Sequence, residues 1–265
     1  MAIDYTIDYD CEPKRQLTTE GIRQRLKGAE RAALIIQQYR DAGDERPPSE
    51  MGFEFTQRTP EGETEAQVVI VQDLLDQAAD LEPLVHHCAD CPANRLGRPF
   101  GCMSFINYPI TAAGESWLID RLPVPDEPLI WLLLKQGVDR FLYDGQQIAM
   151  LRQQDDIYFE SRKAAERRLG EFTIDSNQVF EMCFTVGDII PNHASILLLF
   201  FRAIHRDLES DVIMNLAPAA LDAAEVHPFI IQQESYDDPT IFDLKGFLEA
   251  LYLAWLLDVN LLVDA

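Results

Sequence analysis

Two stretches decide the fold class, because their hydrophobic periods differ: "TTEGIRQRLKGAERAALIIQQYRDAGD" (residues 18–44) and "GFEFTQRTPEGETEAQVVIVQ" (residues 52–72). The first stretch repeats apolar residues every three or four positions, which predicts an amphipathic helix capped by Thr18 or Thr19. The second holds two β-rich runs, 53–57 and 66–72, around a Pro-Glu-Gly turn, which predicts a hairpin. The apolar helix positions are Ile22, Leu26, Ala29, Ala33 and Ile36.

The rest of the chain adds more helix than strand, so we expect a helix-rich α+β fold. It would form one compact unit with short hairpins and a Cys-rich metal loop, in which "PVPDEP" (residues 123–128) is a stiff connector. The connector separates an N-terminal lobe, 1–122, which carries a helix, the hairpin and the cysteine loop, from a helix-rich C-terminal lobe, 123–265. We expect irregular or extended chain at 1–13, a strand at 104–110, and a hairpin or two short strands at 171–187. Further helices are expected at 73–85, 111–122 (capped by Thr111), 128–144, near 159–169, at 192–208 (capped by Asn192), around 216–233 and at 240–257.

The charge of the chain is strongly negative, with 45 acidic against 22 basic residues and a formal net charge of −23. Such an excess disfavours nucleic acid and anionic membranes as partners, since both are bound through Lys and Arg. Basic residues dominate 14–40 and acidic residues dominate 206–265. These two regions either attract one another or solvate different faces, or the basic one meets an acidic protein partner.

The two ends of the chain carry no targeting or membrane pattern. "MAIDYTIDYD" (residues 1–10) is acidic and lacks the apolar core of a signal peptide. The most apolar segment, 246–265, contains Glu249 and Asp258, which favour a buried helix over a membrane span. We therefore expect a cytoplasmic protein that does not enter the membrane.

The segment "HHCADCPANRLGRPFGC" (residues 86–102) is the strongest chemical signal, because it holds three of the five cysteines. Cys88 and Cys91 have the spacing with which a tight turn aims two thiolates at one ion, and Cys102 follows after ten residues. A reducing compartment disfavours a disulfide framework. The trio therefore predicts a thiolate-bound metal, with Arg95 and Arg98 placed to offset its charge, against the alternative of three unliganded thiols in a buried loop.

The fourth ligand is open between sulfur and imidazole. His86 or His87 would complete a zinc site of three cysteines and one histidine. Cys11 would complete a four-cysteine set that suits either a 4Fe-4S iron-sulfur cluster or zinc. The Cys-Pro step at Cys91 and the availability of Cys11 favour the iron-sulfur cluster. The remaining cysteine, Cys183, alternates with apolar neighbours on an expected strand and is interpreted as a core thiol.

This layout of one remote cysteine and a later trio resembles nucleases that hold an iron-sulfur cluster in the same way. The resemblance implies cluster ligation by Cys11, Cys88, Cys91 and Cys102. It covers only this spacing: an acidic-acidic-lysine nuclease core has no counterpart that can be placed on this sequence, so the chain is not assigned to that family.

Other motifs give no catalytic assignment. "HRDLE" (residues 205–209) resembles a kinase catalytic loop but has Val212 where that loop has Asn, so His205 is interpreted as a cationic C-cap. His193 and Ser195 lack a nucleophile elbow, and His193 is interpreted as part of a helix cap. Four bases in "SRKAAERRLG" (residues 161–170) could line a basic groove on a helix, which the net charge disfavours.

Three functions remain possible from the sequence. The leading hypothesis is a protein with a metal centre of structural or sensory role. Four protein ligands fill the coordination of the metal and leave no open position for a substrate. The metal would then support the binding of a protein partner. A redox or metal-dependent enzyme is the second, with Asp90 or His87 as a proton carrier beside the centre. A metal-free acidic interaction protein is the third.

Overall fold

The computed structural model describes residues 2–58, 64–154, 157–214, 216 and 223–264. It mixes helix and strand, with helix predominating, which confirms the expected mixed class. The chain groups into two compact units: Met1–Tyr9, Pro92–Gly97 and Gly101–Ala265 form the first, and Asp10–Cys91 with Arg98–Phe100 form the second. The sequence-based lobes 1–122 and 123–265 stay a prediction.

The strands are β1 (Ala2–Ile7), β2 (Gly52–Arg58), β3 (Thr64–Ile70), β4 (Met103–Asn107), β5 (Glu166–Leu169), β6 (Phe172–Asp175), β7 (Asp188–Ile189) and β8 (Leu261–Asp264). The α-helices are α1 (Glu12–Leu17), α2 (Thr19–Asp41), α3 (Val71–Ala79), α4 (Ala112–Asp120), α5 (Pro128–Phe141), α6 (Gln146–Arg152), α7 (Ser176–Phe184), α8 (Pro191–Phe200), α9 (Ser210–Met214), α10 (Ala223–Val226) and α11 (Pro239–Leu256). Short 3-10 helices cover Pro48–Glu50 and Glu82–Cys88.

The second unit contains the helix and the hairpin that the opening stretches predict. Thr18 caps α2, its hydroxyl accepting a hydrogen bond from the Gly21 N–H at 3.1 Å. Strands β2 and β3 pair antiparallel as expected, and the predicted Pro-Glu-Gly turn lies outside the described residues. The buried helix face centres on Ala32, and the expected position Ala33 is exposed. Helix α3 packs against α2, and Ala32 lies in a buried cluster with Met51 and with Val71 of α3.

The first unit is built on a four-stranded antiparallel sheet with the order β4-β1-β8-β7. The N-terminal segment, expected to be irregular or extended, is an inner strand: Tyr5 pairs with Ser104 on one side and with Val263 on the other. Residues 3–7 are buried. The short C-terminal strand β8 was not predicted, because its partners are distant in sequence.

Helix α11 is the central helix of the first unit. It packs against β1 and β4 of the sheet and against α4 and α8, and most of its side chains are buried. Its one lysine, Lys245, forms a buried ion pair with Asp237 at 2.6 Å. This confirms a buried helix at 240–257. Within the described residues, no helix has the length and apolar character needed to cross a membrane.

A buried ion pair joins three of the smaller helices of the first unit. The guanidinium of Arg152, in α6, donates from Nη1 to Glu115 Oε2 in α4 at 3.0 Å, and both side chains are almost fully buried. Arg152 Nε donates to Asn177 Oδ1 in α7 at 2.9 Å, and Ser176 Oγ donates to Glu115 Oε1 at 2.6 Å. Because the charges satisfy one another's hydrogen bonds, they can remain in the core.

Three predicted elements are wrong. The helix expected near 159–169 is irregular chain followed by β5, and α6 upstream of it was not expected. Within 171–187 only β6 is a strand, because helix α7 starts directly after it. A capping box begins this helix: the side chains of Asp175 and Gln178 each bind the backbone of the other residue. The long helix expected around 216–233 is not formed, since residues 227–233 are irregular and only α10 is helical in its described part.

Candidate metal centre

Cys11 stands at the first turn of the second unit. It occupies the N-cap position of α1 in extended backbone, and the neighbouring Asp10 forms an ion pair with Arg15 at 2.6 Å. Helix α1 packs against the 3-10 helix Glu82–Cys88. The structure therefore brings the element that begins after Cys11 against the element that ends at Cys88, although the two cysteines are far apart in sequence.

Cys88 and Cys91 form the tight turn that their spacing predicts. Cys88 is 8% exposed and is the last residue of its 3-10 helix. The N–H of Cys91 donates to the Cys88 carbonyl at 3.4 Å, which closes the turn. A second backbone group, the N–H of Phe100, donates to the sulfur of Cys88 at 3.3 Å. Such N–H···S contacts stabilise a thiolate and tune the potential of a thiolate-bound metal.

Phe100 adopts a backbone conformation that is unfavourable for its residue type. Its φ is +56°, in the left-handed region, which costs a non-glycine residue about 1–2 kcal/mol. The ring is 5% exposed, so its burial offsets that cost. This conformation belongs to the bend that turns the Phe100 N–H towards the Cys88 sulfur. The sequence gives no sign of it, because Gly97 and Gly101 are the residue types that usually adopt such bends.

Cys102 belongs to the first unit, where the sheet fixes its backbone. Its carbonyl accepts a hydrogen bond from the Ile7 N–H at 3.0 Å, and β4 begins at the next residue. The preceding segment is also anchored in that unit, because Arg95 forms an ion pair with Glu249 of α11 at 2.8 Å with its side chain 4% exposed. Arg95 is thus engaged by a carboxylate.

The two candidate histidine ligands differ from Cys88 in exposure. His86 and His87 are both exposed, and their rings lie 3.9 Å apart, centroid to centroid. Asp90, the suggested proton carrier, is exposed as well. All five cysteines are thiols. In the part of the chain that the structure describes, no three His, Cys, Asp or Glu side chains converge so as to hold a metal ion. The Cys-rich metal loop of the predicted fold is therefore not supported by the structure and stays a proposal.

The chain matches no protein-family model, no curated protein and no solved structure. The cysteine segment is therefore characterised by its own contacts. These are a closed turn, a sulfur that accepts a backbone N–H, and an N-terminal cysteine whose helix packs against the same 3-10 helix.

The other motifs occupy structural positions. His193 is the third residue of α8, and burial lowers its pKa. The Ser195 hydroxyl donates to the Asn192 carbonyl at 2.9 Å. Asn192 does not cap α8 as expected, because Pro191 starts the helix and Ile190 is its N-cap. Cys183 lies on α7 and not on a strand, but it is a core thiol as interpreted, since it is 1% exposed and burial raises its pKa.

His205 is not a C-cap, because α8 ends five residues before it. The adjacent Arg206 takes that role: its Nε donates to the Leu199 carbonyl at 2.6 Å. In the sequence, Arg206 stands within the incomplete kinase motif, which gives no indication of this role. The usable signal was a basic residue shortly after an apolar helix, which commonly binds the last carbonyl groups.

Proposed function

We propose that the chain holds a thiolate-ligated metal centre, with Cys11, Cys88, Cys91 and Cys102 as ligands, and that this centre has a structural or sensory role in binding a protein partner. The observation that supports it best is the hydrogen bond from the Phe100 N–H to the Cys88 sulfur at 3.3 Å. A backbone donor stabilises the thiolate, which is the form that binds metals.

The fifth cysteine shows what an ordinary core thiol looks like in this protein. Cys183 is buried at 1% exposure, and no hydrogen bond to its sulfur is found among the described residues. Burial without such a donor raises the pKa of a thiol and leaves it inert. Cys88 combines similar burial with a donor to its sulfur, in a tight turn that also contains Cys91. This contrast within one chain favours a ligand role for Cys88.

A structural role follows from the places of Cys11 and Cys88 in the second unit. They stand near the two ends of the segment 10–91, and the helix that follows Cys11 packs against the 3-10 helix that ends at Cys88. A centre that binds both would close this long segment and contribute its binding free energy to folding. Four thiolates leave no open position for a substrate, which favours a structural or sensory centre over a catalytic one.

The metal content distinguishes the candidates directly. Protein purified without oxygen is analysed for iron, acid-labile sulfide and zinc, and its visible spectrum is recorded. We expect about four iron and four sulfide, or about one zinc, per chain. Substitutions of Cys88 or Cys91 by Ser should lower the content by more than about half, while Cys183→Ser, the matched control, should leave it unchanged. Protein with neither metal nor sulfide would contradict the proposal.

The fourth ligand is tested by two further variants. If Cys11 is the ligand, Cys11→Ser should reduce both the metal content and the thermal midpoint, and a double substitution of His86 and His87 by Ala should change neither. If metal is instead retained in Cys11→Ser with a position that exchanges small ligands, the enzyme alternative is favoured. Metal loss only in the histidine variant would assign the fourth position to imidazole.

A further inference from the structure

A cavity of about 560 Å³ in the first unit is lined by four arginines, although the chain as a whole is acidic. It opens where α4 and α8 end, beside the start of α5. Two carboxylates, Asp120 and Glu127, and the ring of Trp117 also line it. We call it the arginine pocket. Its arginines are Arg121, Arg167, Arg202 and Arg206.

Three of these arginines are fixed by main-chain carbonyl groups. Arg121 donates from Nη1 to the Phe201 and Arg202 carbonyls at 3.2 and 3.4 Å. Arg206, whose side chain is 5% exposed, donates to carbonyls of α8 and to the Arg121 carbonyl, and its Nη1 lies 2.8 Å from Glu127 Oε2. Arg167 donates from Nη1 to three carbonyl groups at the end of α4, the closest at 2.8 Å. These three guanidinium groups are therefore held in place without a ligand, as a preorganised site requires.

Several guanidinium N–H groups in the pocket remain unused. The Nε of Arg121 is buried and has no hydrogen-bond partner, while its guanidinium lies 4.3 Å from the centroid of the Trp117 ring. Within the described chain, the Nε and Nη2 groups of Arg167 and the whole side chain of Arg202 donate to no protein acceptor. A buried donor that is left unpaired costs about 1–3 kcal/mol, so the Nε of Arg121 favours an acceptor from outside the chain. The groups of Arg167 and of the exposed Arg202 are open to the same acceptor.

Arg202 occupies a backbone position that normally holds glycine. The N–H of Arg202 donates to the Leu199 carbonyl at 3.1 Å and the N–H of Ala203 to the Leu198 carbonyl at 2.8 Å, which is the Schellman pattern after α8. The φ of Arg202 is +51°. Glycine adopts this conformation without cost, whereas arginine does not. The backbone is therefore strained at the residue whose exposed guanidinium lines the pocket.

The positive charges of the pocket also act on one another. Burial is the main cause that lowers the pKa of Arg206 to about 10, and Arg202 and Arg121 lower it further, while Glu127 partly opposes them. Burial and the charge of Arg202 likewise lower the pKa of Arg121. An anion bound in the pocket would relieve the repulsion between these positive charges.

We propose that the arginine pocket binds a small organic ligand through an oxyanion group, either a phosphate or a carboxylate. Guanidinium groups match both oxyanions through paired N–H donors. The volume falls within the range of small-molecule sites, roughly 300–1,000 Å³. The ligand is held at one end by Arg202 with the open N–H groups of Arg121 and Arg167, and Trp117 offers apolar surface beside them.

The direct test is titration calorimetry on the full chain in a phosphate-free buffer of low ionic strength. The probes are inorganic phosphate, adenosine monophosphate and citrate. We expect at least one to bind with a Kd of about 1 mM or tighter, and the affinity to fall as NaCl is added. Tighter binding of the two phosphates identifies a phosphate ligand, and tighter binding of citrate identifies a carboxylate ligand.

Two variants show whether binding occurs at the arginine pocket. Arg202→Gly removes the exposed guanidinium while suiting the local backbone, so we expect about a tenfold or greater loss of affinity and an unchanged or higher thermal midpoint. Arg140→Ala, on the exposed end of α5, makes the same charge change outside the pocket and should leave binding unchanged. The inference is overturned if none of the probes binds, or if the two variants affect binding equally.

Discussion

Gly114 shows how the absence of one side chain allows two helices to meet. A Cβ atom at this position of α4 would lie 2.4 Å from Thr240 Cγ2 and 2.7 Å from Thr240 Cβ, at the start of α11. Contacts this short do not occur in folded proteins, so any side chain at Gly114 would move the helices apart. Gly137, inside α5, is different because a Cβ atom there meets nothing within 4 Å.

We therefore predict opposite effects for the same substitution at these two positions. Gly114→Ala should lower the free energy of unfolding by about 1–3 kcal/mol, because the overlap with Thr240 requires a backbone shift. Gly137→Ala should raise it by about 0.5–1 kcal/mol, since alanine reduces the entropy lost in forming the helix. Urea unfolding followed by circular dichroism measures both. A loss of stability in Gly137→Ala similar to that in Gly114→Ala would contradict the structure.

At the scale of the element, the first turns of α4 and α11 cap one another. The Thr111 hydroxyl accepts from the Gly114 N–H at 3.0 Å and donates to Asp238 Oδ1 at 2.6 Å. Asp238 in turn accepts from the Thr240 N–H at 2.9 Å, and the Thr111 N–H donates to the Thr240 hydroxyl at 3.0 Å. The cap on α4 was predicted from the sequence. Its connection to the other helix was not, since more than a hundred residues separate them.

Removing the Thr111 hydroxyl should therefore affect both helices. Thr111→Val keeps the side-chain shape but loses the cap and one partner of Asp238, so we expect a loss of about 1–2 kcal/mol in the free energy of unfolding. Thr111→Ser retains the hydroxyl and should cost less than about 0.5 kcal/mol. Thermal and urea unfolding of the two variants make the comparison. If serine is as harmful as valine, the hydrogen bonds are not the cause.

The failures at the element scale have a common physical origin. Local patterns predicted α2, its cap and the β2–β3 hairpin, because sequence neighbours determine them. The segment 161–170 has the composition of a solvated helix, yet its second half pairs with β6 as a strand. There the Arg167 guanidinium binds the carbonyl groups at the end of α4. A tertiary contact outweighed a weak local preference.

At the scale of the whole molecule, the formal charge of −23 opposes compaction. Raising NaCl from 20 mM to 300 mM screens this repulsion, so we expect the thermal midpoint to rise by about 2–4 °C, as a gain of about 1 kcal/mol would produce. KCl should act alike, because screening depends on ionic strength. Differential scanning calorimetry measures the midpoint, and a midpoint that falls with salt would show that attractive ion pairs outweigh the net repulsion.

The sequence by itself determined the mixed fold class, the helices with strong apolar periods and the tight turn of Cys88 and Cys91, because each depends on residues close together in the chain. Only the tertiary structure decided that the N-terminus is an inner strand and that the Phe100 N–H meets the Cys88 sulfur. It also decided that four arginines share one pocket. These features join residues that are distant in sequence, or they depend on one backbone angle. No local pattern of residue types encodes a contact between distant residues or such an angle.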